Sequence, residues 1–94
     1  MDNKLFLFVY DIDNNESELL GTLKSLGETS PCLSNGYFIY SDKSYAELFD
    51  GVKKIFDNGN GRFLITQINP DLTNGWISTE TIDWLRSKIG ENQQ

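Results

Sequence analysis

Ninety-four residues make one small domain, able to bury roughly 60–65% of the surface its unfolded chain exposes, enough for a single two-layer core and too little for two. Six Phe, four Tyr and two Trp favour a packed interior over disorder, and no apolar run approaches the ~18 residues of a membrane helix. With no His and one Cys, a zinc site, a Cys/His nucleophile and a disulfide framework are excluded, and a net charge of −6 weighs against unaided nucleic-acid binding.

The N-terminus has a strand pattern without a basic flank or a small-residue cleavage site, so a cytoplasmic protein is expected. Residues 4–12, "KLFLFVYDI", form a first strand. Asn15 with Glu18 resembles a capping pair, Leu19, Leu20, Leu23 and Leu26 recur at helical spacing, and Gly27 supplies a C-cap, which predicts a helix over 16–26. In "TSPCLSNGYFIYSD" the dipeptide Asn35-Gly36 sits between two extended runs, the signal for a type I′ hairpin joining strands near 29–34 and 36–41. Ser44 with Glu47 is a capping box, and Leu48, Phe49, Val52, Ile55 and Phe56 mark one face of a second helix. "DNGNG" stops it, "RFLITQIN" (62–69) is the fourth strand, and "STETIDWLRSKIG" is a C-terminal helix with Ile82, Leu85 and Ile89 on one face. "DNGNG" lacks the placement and the Lys of a phosphate loop.

The order β α β β α β plus a helix predicts an α+β, ferredoxin-like sandwich: one domain over 1–94 with its core at about 4–89, a flexible tail at 90–94, and an antiparallel sheet in the order 4-1-3-2. Such a sheet, covered on one side, should alternate apolar and polar residues. Here Leu5, Leu7 and Val9 oppose Phe6, Phe8 and Tyr10, and the third strand is apolar on both faces too. The second face therefore needs a cover. A second copy of the chain, sheet to sheet in a two-fold dimer, is the expected one; the C-terminal helix with Ile82 and Trp84 is another. Stacked RNA bases come last, because only Lys4 and Arg62 border the strands.

With "FVYDI" ending the first strand, "CLSNGYFIYSD" as the hairpin and "NGWISTETIDWLRSKI" closing the chain, the sequence resembles the SinR-like small proteins. These are related to the ferredoxin-like CRISPR-associated endonuclease family that partners the spacer integrase. The resemblance implies a homodimer and a prokaryotic defence or toxin–antitoxin setting. It also implies that Asp11, at the end of the first strand, meets its two-fold mate and can hold a divalent metal. The chain departs from those nucleases where Asn35-Gly36 stands in place of a polar site residue, and in lacking a basic surface for a duplex.

The predicted topology gathers Asp11, Asp13, Ser34, Asn35 and Arg62 at one end of the sheet. In an enzyme, Asp11 (with Asp13) would hold magnesium or manganese and, beside Arg62, support phosphodiester cleavage of RNA or DNA. In a structural role, Asp11 pairs with Arg62, while Asp13, Glu16 and Glu18 favour the positive end of the first helix dipole. That simpler account explains all four acids without a metal. The expected function is thus a non-enzymatic homodimeric interaction module with no cofactor, its acidic surface open to a basic protein partner; the alternative is a metal-dependent endonuclease built on paired Asp11. Cys32 reads as a small buried hydrophobe, Lys43, Lys53 and Lys54 as a solvated face, and Trp76 and Trp84 as packing groups or partner anchors.

Overall fold

The computed structural model describes residues 3–57, 59, 61–69 and 78–92, the last four as backbone only. In chain order they form β1 (Lys4–Ile12), α1 (Glu16–Leu26), β2 (Glu28–Leu33), β3 (Gly36–Ser41), α2 (Tyr45–Phe56), β4 (Gly61–Ile68) and α3 (Thr79–Asn92). The class is α+β. All strand pairs are antiparallel, in the order β2-β3-β1-β4, which counted from the opposite edge is 4-1-3-2. No helix among the described residues is long and apolar enough to cross a membrane.

The inner face of the sheet carries Phe6, Phe8 and Tyr10 of β1 with Ile39 of β3, which close against Leu19 and Leu23 of α1 and Leu48, Val52 and Phe56 of α2. Phe8, Leu19, Ile39, Leu48 and Val52 are wholly excluded from water. Each such side chain contributes about 1.5–3 kcal/mol by burial, so this layer dominates stability. Rings thread it: Phe8 lies 5.6 Å from Tyr10 and 5.5 Å from Phe63 between centroids, and Phe56 lies 4.7 Å from Phe63.

The helix ends follow different chemistry. Ser44 caps α2 with the full reciprocal box, its hydroxyl accepting from Glu47 N–H at 3.2 Å and its own N–H donating to Glu47 Oε1 at 3.0 Å. Those bonds, the backbone one foremost, hold the Glu47 carboxyl below the usual range. Asn15 does not cap α1 through its side chain as expected. It enters the helix left-handed, at φ 66°, and the adjacent Glu16 carboxylate instead accepts the Tyr10 hydroxyl at 2.8 Å. Gly27 is needed for space rather than for a left-handed turn, since a Cβ there would sit 2.6 Å from the Tyr40 carbonyl oxygen.

The hairpin also differs from expectation. The turn residues are Ser34 and Asn35, and Asn15 alone among described non-glycine residues has positive φ, so the type I′ geometry is not formed. A register shift between Pro31 and Leu33 absorbs the difference, because a bulge adds twist that the primed turn would otherwise supply.

The outer face departs most from the dimer expectation. One part is covered by α3 of the same chain, where Leu5, Phe38 and Tyr40 bury against Leu85 with Trp84 packed alongside. Trp84 stacks on Phe38 at 6.4 Å and meets Tyr40 edge-on at 6.5 Å. The buried side of α3 is Thr81, Leu85 and Lys88, with Ile82 only half-buried; Ile89 lies outside the described side chains. Polar groups reach this seam because each finds a partner. Thr81 donates to the Pro31 carbonyl at 2.7 Å and accepts from Ser78 at 2.9 Å, while Lys88 pairs with Glu28 and lies 5.1 Å above the Tyr40 ring. The helix runs to Asn92, further than the tail expected from residue 90.

Candidate functional site

The expected cluster lies at the end of β1, where Asp11 and Arg62 are register partners on the outer face. The Arg62 guanidinium donates to Asp11 Oδ2 at 3.5 Å, with both side chains largely in solvent. An exposed pair of this length is worth about 0–1 kcal/mol. The same end of the sheet holds the Ser34-Asn35 turn, tied down by Tyr10 N–H donating to the Asn35 carbonyl at 3.0 Å. Asp11, Arg62, Ser34 and Asn35 are thus placed at one end, as the topology required.

Asp13 takes a different position. It lines a polar cavity of about 310 Å³ between the start of α1 and the end of α2, with Asn14, Asn15, Glu18, Lys54, Ile55 and Gly59. Glu16 and Glu18 stand in the first turn of α1, where the helix dipole favours acids. Lys54 lies in the last turn of α2, so its charge matches both that helix end and the acids opposite.

A divalent cation of the magnesium or calcium type wants about six oxygen ligands with several carboxylates or carbonyls among them. Asp11 offers one carboxylate, already facing a guanidinium, and no group of three His, Cys, Asp or Glu side chains that could hold a metal occurs among the described residues. Cys32 is half-buried and burial pushes its thiol up, away from the thiolate a nucleophile needs.

Tyr10 bridges core and site end. Burial first, then the hydrogen bond to Glu16, raise its hydroxyl far above its ordinary value. An unfolded tyrosine ionises near pH ~10, whereas folded Tyr10 keeps its proton above that pH. The native state then binds more protons than the unfolded one, so this contribution is full below pH ~10 and is lost as pH rises further. Urea midpoints measured across that range should fall with pH, and Tyr10→Phe should flatten the decline.

A feature that periodicity did not reveal crosses the sheet just inside the Asp11–Arg62 pair. Leu33, Gly36, Val9 and Leu64 align in register on the outer face, one from each strand. Leu64 is 63% and Leu33 60% exposed, and Val9 is half-buried. The absence of polar alternation in β1 signalled a covered second face, but not that α3 would cover only a part of it. Trp76 lies outside the described residues. No protein-family model, no curated protein and no solved structure matches the chain.

Proposed function

We propose that the chain is a non-enzymatic homodimeric interaction module. A ferredoxin-like core with an added helix uses the β1–β4 part of its outer sheet face, left open beside α3, to recruit a second copy, and its acidic surface engages a basic protein partner. The setting implied by the SinR-like and CRISPR-associated resemblance is prokaryotic defence or a toxin–antitoxin pair. The observation that carries this reading is the row Leu33, Val9 and Leu64, which leaves leucines of β2 and β4 more than half in water at the two ends of one line. Apolar groups aligned across a sheet face mark interaction surfaces more often than isolated ones do. The partner's basic character follows from the charge of −6.

The pairing of Asp11 with Arg62 supports the structural reading of that acid over the endonuclease alternative, in which magnesium or manganese on paired Asp11 would do the chemistry. Sedimentation velocity at micromolar concentration tests the proposal. The wild type should sediment as a dimer and Leu64→Lys as a monomer with unchanged circular dichroism. A wild-type monomer would overturn it.

A further inference from the structure

The two edges of the sheet are not alike. β2, at one edge, carries Pro31, an irregular register and the exposed Glu28, and α3 packs beside it with Thr81 bonded to the Pro31 carbonyl. Proline, a bulge and a charge are the devices that keep an edge from pairing. β4, at the other edge, has neither the proline nor the bulge. "GRFLITQI" is eight residues with no Pro, no break in its register to β1, and Arg62 as its one charge.

The direction of its free groups follows from the ladder. Tyr10 N–H donates toward the β3 side, to Asn35, so the even residues of β1 bond β3 and the odd ones bond β4. The partners of those odd residues are Arg62, Leu64, Thr66 and Ile68. The N–H and C=O groups of Phe63, Ile65 and Gln67 therefore point to the outer edge, and among the described residues no strand lies beyond them.

Charge identifies the occupant's position. Two copies each bearing −6 repel, so their contact belongs where acids are missing. Of the seven elements, β3 and β4 alone contain no Asp or Glu, and β3 is internal.

We propose that two copies of the chain join antiparallel along β4, with Leu64 opposite Leu64 of the second copy on the two-fold axis; this rests on the homodimer reading above and places its contact at the β4 edge bordering the open face, not face to face. A two-fold axis perpendicular to the sheet keeps both outer faces on the same side, and centring it on Leu64 pairs Phe63 with the second copy's Ile65 in hydrogen-bonded positions. Arg62 then opposes Thr66, so no like charges meet. The row Leu33, Gly36, Val9, Leu64 continues without a step into its mate, giving one apolar line across eight strands.

Two measurements test this. In a Cys32→Ser background, Leu64→Cys should form an intermolecular disulfide under mild oxidation, because directly opposed non-hydrogen-bonded residues place their Cβ atoms about 4.5–5.5 Å apart. Arg62→Cys and Thr66→Cys should cross-link when mixed and not separately. Amide exchange at Phe63 and Ile65 should slow at least tenfold as protein concentration is raised through the dimer transition. A dimer in which those amides stay fast and the mixed pair does not cross-link would overturn the edge pairing while leaving the homodimer standing. A monomer would overturn both.

Discussion

Phe8→Ala is expected to cost about 3–5 kcal/mol, the range for removing a fully buried aromatic ring and leaving a cavity. Phe8 sits at the middle of β1, between Tyr37 on β3 and Ile65 on β4, and is wholly excluded from water. Its ring touches Tyr10 and Phe63 and belongs to the cluster that both α1 and α2 close upon, so no single neighbour can move in to fill the gap. Domains of this size are stable by about 5–15 kcal/mol in total, so the variant should lose a large part of its urea midpoint or fail to fold. Leu7→Ala, one position away on the half-covered outer face, should cost much less. Equal losses at the two positions would mean that the faces are assigned wrongly.

The second large effect is expected in α3. Leu85→Ala should cost about 2–4 kcal/mol, since Leu85 is nearly buried against Leu5, Phe38 and Tyr40. Adding Trp84→Ala removes the ring stacked on Phe38 and a ring beside the Lys88 ammonium, which lies 5.6 Å from it. The two residues are neighbours, so the double variant should differ from the sum of the singles. Thermal melts of the singles and the double measure this. A double variant as stable as the wild type would show that the helix does not hold the outer layer.

Much of this arrangement was legible in the sequence because local signals and burial agreed. The Ser44/Glu47 box fixed the start of α2, the leucine spacing fixed α1, and the two-sided apolar character of β1 announced a sheet with layers on both faces. What was hidden depended on tertiary partners. Nothing in the residue pattern marks Lys88 and Thr81 as buried; Glu28, the Tyr40 ring and the Pro31 carbonyl satisfy them there. The same dependence explains why Ile82 looked like the buried side of α3 while Thr81 fills that place. Asn35-Gly36 carried the type I′ signal, but the bulge after Pro31 moved the turn one residue back. Asp11 with Arg62 was anticipated from antiparallel pairing alone, whereas Asp13, past the bend between Ile12 and α1, lines a cavity it shares with Lys54.

The central claim is that the outer face is shared, part held by α3 of the same chain and part open to a second copy. An isotope-filtered nuclear Overhauser experiment on a mixture of labelled and unlabelled protein tests it directly. Contacts of Trp84 with Phe38 and Tyr40 should appear only within a chain, and contacts of Leu64 should appear between chains. Contacts of Trp84 between chains, or no contact between chains at all, would contradict it.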